Sequence, residues 1–140
     1  MSRSDEVTSG TAPEPVGPFP HAKRVGNLLF LSGIGPRKRG SKAIPGVTLD
    51  ERGEVADHDI VAQCHAVFEN VRTVLDDAGS DWERIVDVTV FLTDMKRDFG
   101  DFNQLYGEYF KRNRPARTTV EVNRLPTPIA IELKVIATVD

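Results

Sequence analysis

Two charged residues stand where strands would ordinarily carry neutral ones. Arg117 lies in the run Pro115-Ala116-Arg117-Thr118-Thr119-Val120-Glu121-Val122, and Glu132 in Ile129-Ala130-Ile131-Glu132-Leu133-Lys134-Val135. Both runs alternate with period two, the pattern of a strand with one face toward a core. In the first, Arg117, Thr119 and Glu121 share one face, and Thr118, Val120 and Val122 the other. In the second, Ile131, Leu133, Val135, Ala137 and Val139 form an unbroken apolar face opposite Glu132, Lys134, Ile136 and Thr138. A guanidinium fixed just after a Pro-Ala step suits bidentate capture of a carboxylate, while pairing with an acid such as Glu121 is the competing reading. An acid inside an apolar strand is costly unless paired or used. Partly buried, Glu132 could hold and polarise a water molecule; a solvated outer-face glutamate explains the spacing equally well.

Other reactive side chains carry weaker signals. Ser32-Gly33 ends an apolar run, and the glycine would admit a ligand close to the backbone, although a plain strand-to-loop turn accounts for it too. His21, His58 and His65 are scattered, with no carboxylate or second nitrogen at ligand spacing, and read as surface or packing residues. Cys64 falls on an apolar helix face and reads as core. No nucleophile elbow, phosphate loop or dinucleotide fingerprint is present.

The elements that must hold these residues follow from pattern. After a polar stretch over residues 1–15, read as a flexible tail, residues 16–140 form one domain, the expected size for 140 residues with 39% hydrophobic and 28% charged content. His21 to Val25 and Leu28 to Ser32 flank Gly26-Asn27, a hairpin signal. Gly35 to Glu54, rich in Gly, Pro and charge (Arg37, Lys38, Arg39, Lys42), reads as a long loop with one short strand near Val47 to Leu49. Asp57 to Ala78 carries Ile60, Cys64, Val67, Phe68, Val71, Val74 and Leu75 at helical spacing, with Asp57 as cap and Gly79 as stop. Ile85 to Leu92 is a β-branched central strand, and Phe99 to Phe110 a second amphipathic helix. The result is an α+β sandwich with both helices on one face of one sheet. Its other face, holding Asp87, Thr89, Phe91, Glu132, Lys134 and Ile136, is expected to be covered by further copies of the chain.

A net charge of −3 offers no basic field for nucleic acid, and one cysteine excludes an internal disulfide and any Cys/His zinc pattern. No apolar run marks a signal or membrane span, so a cytoplasmic protein with no membrane partner is the expectation.

Gly17-Pro18-Phe19, Leu31-Ser32-Gly33, Val88 through Met95, and Pro115-Ala116-Arg117-Thr118, with Glu132 fifteen residues beyond the arginine, resemble the Rid family of reactive-intermediate (enamine and imine) deaminases. The resemblance spans Gly17 to Val139. It implies a chorismate-mutase-like α+β fold, one mixed sheet with two helices on one face. It also implies a homotrimer with an inner barrel of sheets, sites in the clefts between subunits, and no metal or organic cofactor; whether trimers stack into hexamers stays open. Position by position, it implies that Arg117 grips the substrate carboxylate and Glu132 orients the hydrolytic water. Gly33 would line the site through its backbone, Thr119 falls where many members have cysteine, and Phe19 and Ser32 join the substrate-binding set. The chain departs from the family at Phe19 (for tyrosine), at Pro20, at Ile34, at Lys96-Arg97 and in its longer basic loop.

As a whole the chain is most similar to the family's 2-aminomuconate deaminases of aromatic catabolism. Their substrate, a six-carbon dienamine with a carboxylate at each end, needs a second cation, for which the basic loop supplies Arg37, Lys38, Arg39 or Lys42. The implied reaction is hydrolytic deamination to 4-oxalocrotonate, or its enol, and ammonia. A general 2-iminobutanoate/2-iminopropanoate deaminase and a non-catalytic carboxylate-binding or chaperone-like trimer are the alternatives.

Overall fold

The computed structural model describes residues 5–140. Six strands form the main sheet: β1 (Glu6–Val7), β2 (Ala22–Val25), β3 (Leu28–Leu31), β6 (Ile85–Leu92), β7 (Ala116–Glu121) and β8 (Ile131–Thr138), in the order β1-β2-β3-β8-β6-β7. All neighbours are antiparallel except β6 and β7, which run parallel. The sheet is therefore mixed, as expected, and the two C-terminal alternating runs do not pair with each other. A parallel pair needs a crossover, and the helix α2 (Met95–Tyr109) provides it between β6 and β7.

Helix α1 (Ile60–Asp77) buries Ile60, Cys64, Val67, Phe68, Val71, Val74 and Leu75 against the face of Leu133, Val135 and Ala137 on β8. Its cap is Asp59, whose side chain accepts from the Val61 and Ala62 amides at 3.0 and 3.2 Å, and not Asp57, which pairs with Arg97 at 2.9 Å. Helix α2 is capped by Asp94, and Glu121 of β7 accepts from the Met95 amide, so the acid proposed as a partner for Arg117 is engaged elsewhere. Phe68, Trp82, Tyr106 and Phe110 close the core between the helices with edge-on and stacked ring contacts.

Two further features differ from the sequence reading. A second hairpin exists in the long loop, β4 (Val47–Leu49) with β5 (Val55–His58), turned at Asp50 to Gly53, where Gly53 adopts φ 77°. Its four β5 residues are mostly exposed and lack alternation, so no pattern announced it. The expected tail over residues 1–15 also differs from what residues 5–15 do. Glu6–Val7 adds an edge strand, Ser9 and Ala12 are buried, and the Ser9 hydroxyl donates to Asp77 at 2.5 Å. Buried His21 joins this arm to the body, accepting from the Ser9 amide through Nδ1 at 3.0 Å, with Nε2 2.8 Å from the Pro13 carbonyl oxygen.

Candidate active site

Glu132 projects from the sheet face that neither helix covers. Beyond β3 the chain stays beside β8, because Ile34 and Leu133 exchange backbone hydrogen bonds of 2.8 and 2.9 Å. That places Gly33 under the Glu132 side chain: a Cβ built on Gly33 would lie 2.5 Å from Glu132 Oε2. Glycine permits this close approach of the carboxylate, and any larger residue would push the Glu132 side chain from its position. Burial raises the Glu132 pKa above the usual carboxylate range, and the Arg37 guanidinium opposes the rise. On the same face, burial lowers the Lys134 pKa, and its ammonium donates to the Leu31 carbonyl oxygen.

Glu132 lines a small cleft of ≈ 40 Å³ together with Phe19, Ser32, Gly33, Arg37 and the arm residues Pro13, Pro15 and Val16. Of the residues proposed from sequence, the structure thus gathers Glu132, Gly33, Ser32, Phe19 and Arg37. Within one chain the space suits a few water molecules. The Ser32 hydroxyl donates to the Pro20 carbonyl at 2.7 Å, so it holds the Phe19-Pro20 segment in place.

Only part of the basic loop reaches this cleft. Arg37 lines it, with Nη2 donating to the Glu14 carbonyl at 2.6 Å. Arg39 donates to the Ala12 carbonyl at 2.8 Å and pairs with the Glu14 carboxylate, so it fastens the arm. Lys38 is exposed and lies outside the cleft.

Arg117 lies on the other side of the sheet. Its register partner is Val88, which also faces Val135 in the helix-covered core, whereas Glu132 is paired with Phe91 on the opposite face. Strand alternation thus separates the two groups by the thickness of the sheet, and three residues along β6 add roughly 10 Å. The guanidinium rests on α2. Its Nη1 donates to Asn103 Oδ1 at 2.9 Å, and its central carbon lies 4.6 Å from the Tyr106 ring centroid and 5.3 Å from that of Phe102. It has no carboxylate partner among the described residues, which leaves the cation available. Thr119, two residues on, shares the Arg117 face, and its buried hydroxyl has no hydrogen-bond partner. Burial pushes the Tyr106 phenol up to about 12, keeping it neutral beside the guanidinium.

One polar pair was not foreseen. His58 Nε2 lies 2.7 Å from Asp98 Oδ2, both nearly buried, and ties β5 to α2 across forty positions of sequence. Burial raises the Asp98 pKa, and the hydrogen bond from His58 opposes that rise. Spacing along the chain carries no sign of a contact that only the packing of β5 against α2 creates.

Residues 9–139 match the family model described as Endoribonuclease L-PSP. The chain is 40% identical over 127 residues to a RutC family protein of Pyrococcus abyssi, covering 90% of each. The crystal structure of the E. coli yjgF gene product resembles it with TM-score 0.79 at 31% identity, over 95% of this chain and 97% of that one. E. coli TdcF with bound serine matches with TM-score 0.80 at 28% identity, over 96% and 98%. With the mixed sheet, the two helices on one face and these likenesses together, the chain belongs to the endoribonuclease L-PSP family, that of the RutC, YjgF and Rid proteins.

Proposed function

We propose that the protein is a hydrolytic enamine/imine deaminase of the Rid type, acting on a six-carbon dicarboxylic enamine, 2-aminomuconate, to give 4-oxalocrotonate or its enol and ammonia. The observation that carries this reading is the pair of chemically complementary groups on one sheet: a guanidinium with no acid partner among the described residues and a half-buried carboxylate of raised pKa over a water-sized cleft. Arg117 takes the carboxylate beside the amino-bearing carbon. The enamine becomes the imine by gaining a proton on carbon and losing one from nitrogen; Glu132 orients a water and accepts its proton as oxygen bonds to the imine carbon. Glu132 returns that proton to the nitrogen, and the carbinolamine expels ammonia, its C–N bond breaking as the hydroxyl gives up its proton and the carbonyl forms. Holding water and imine in line supplies much of the rate. The serine in the TdcF structure, itself a small amino-bearing carboxylate, supports a site of this kind.

Because Arg117 and Glu132 face opposite sides of one sheet, a single chain cannot converge them, and the reading includes a homotrimer whose clefts join Arg117 of one copy to Glu132 of the next. Assembly through the uncovered face also buries Phe30, Phe91 and Ile136, which stand there half-exposed.

Arg37, the cation of the Glu132 cleft, is assigned to the distal carboxylate. Ammonia release from enamines generated in situ tests this. The wild type should show a higher kcat/KM for 2-aminomuconate than for 2-iminopropanoate, and Arg37→Gln should raise KM for the dicarboxylate alone. Equal preference would make the protein a general 2-imino acid deaminase. No ammonia from either compound would leave a carboxylate-binding trimer.

A further inference from the structure

We propose that Asn103 is a positioning residue for Arg117, setting which edge of the guanidinium is offered to the substrate carboxylate; this rests on the deaminase reading above. Phe99, Phe102, Asn103 and Tyr106 recur on α2 at spacings of three and four, so they share one helix face, and that face lies against Arg117. The three rings form a floor. Cation-to-ring attraction holds the guanidinium plane near that floor but does little to choose its rotation within the plane. The choice falls to Asn103 Oδ1, which accepts from Nη1 at 2.9 Å. With Nη1 engaged, Nε and Nη2 form the complete two-donor edge that a carboxylate needs.

Residue type sharpens the point. Asn103 is exposed on its helix and makes no other side-chain hydrogen bond among the described residues. Asparagine is a poorer helix former than alanine, so local stability gives no reason for it. A neutral acceptor orients the guanidinium without cancelling its charge. Aspartate would orient it as well yet compete with the substrate carboxylate, and alanine would leave the rotation free.

The test uses the full-length assembled protein and two readouts. In nitrogen NMR of the arginine side chains, with Arg117→Lys assigning the signal, wild-type Arg117 should show two resolved Nη resonances from slowed rotation. Asn103→Ala should merge them and raise KM for the enamine roughly tenfold, the loss expected of one charge-assisted hydrogen bond, with kcat within about twofold and thermal stability unchanged or higher. Asn103→Asp should keep the resonances resolved while still raising KM. If either the resonances or KM of Asn103→Ala stay at the wild-type value, the positioning role is overturned. The deaminase reading is judged separately: an inactive Arg117→Lys beside a wild-type-like Asn103→Ala removes only this inference, whereas a fully active Arg117→Lys removes the carboxylate clamp itself.

Discussion

Arg117→Lys should lose roughly 30- to 700-fold in kcat/KM while the fold and assembly remain intact, corresponding to ~2–4 kcal/mol of transition-state stabilisation. Lysine keeps the charge, and its alkyl stem can still lie along Phe102 and Tyr106. What it lacks is the planar fork: an ammonium donating to Asn103 cannot also present two parallel donors to a carboxylate. Stability should change little, because the residue is only half-buried on an edge strand and holds no ion pair among the described residues. Steady-state kinetics beside a thermal melt measures both halves. Near-normal turnover would move the carboxylate clamp to another residue.

Glu132→Gln should lower turnover by roughly a hundredfold or more, the usual worth of a positioned general base, while leaving KM close to the wild-type value. The amide fills the same space over Gly33 but cannot take a proton from water. Two accompanying changes separate this from a packing defect. The wild-type rate should fall on acidification through a limb displaced above the usual carboxylate range, because burial raises the Glu132 pKa, and the glutamine variant should lack that limb. The variant should also be the more stable protein at neutral pH. A carboxyl whose folded pKa exceeds its unfolded one favours folding most when protonated. The deficit opens as pH rises through the ordinary glutamate value, is complete above the raised one, and disappears below both. A glutamine variant of full activity would transfer the water-orienting role to backbone groups near Gly33.

Much of this is legible in the amino-acid sequence alone. Period-two alternation identified β6, β7 and β8, and helical spacing identified α1 and α2, because each element buries one face in the same core and the burial imposes the period. The same alternation marked Arg117 and Glu132 as charges in unusual places. Hidden from it was everything set by pairing at long range. That β7 joins β6 in parallel, and so turns Arg117 toward α2, depends on the crossover rather than on either strand's own residues. The seat of Glu132 over Gly33 depends on an isolated bridge between Ile34 and Leu133. The basic loop read as a pool of equivalent cations, yet Arg39 secures the N-terminal arm and Lys38 faces solvent, which singles out Arg37. The arm is invisible to sequence pattern because its anchors, Ser9 to Asp77 and His21 to Pro13, link polar groups with no local periodicity.

The placement of Arg117 and Glu132 on opposite faces has a genetic consequence. In the proposed ring of three, each cleft takes its arginine from one copy and its glutamate from the next. Two alleles, one encoding Arg117→Lys and the other Glu132→Gln, each retain at most a few per cent of activity alone by the roughly 30-fold or greater losses expected above, yet any mixed ring contains one junction where an intact arginine meets an intact glutamate. Random assembly from equal amounts makes three-quarters of the rings mixed, with one working cleft in three, so co-expression should restore about a quarter of wild-type activity. Interallelic complementation of that size, absent when both changes reside in the same chain, would be the signature of a site that no single polypeptide owns.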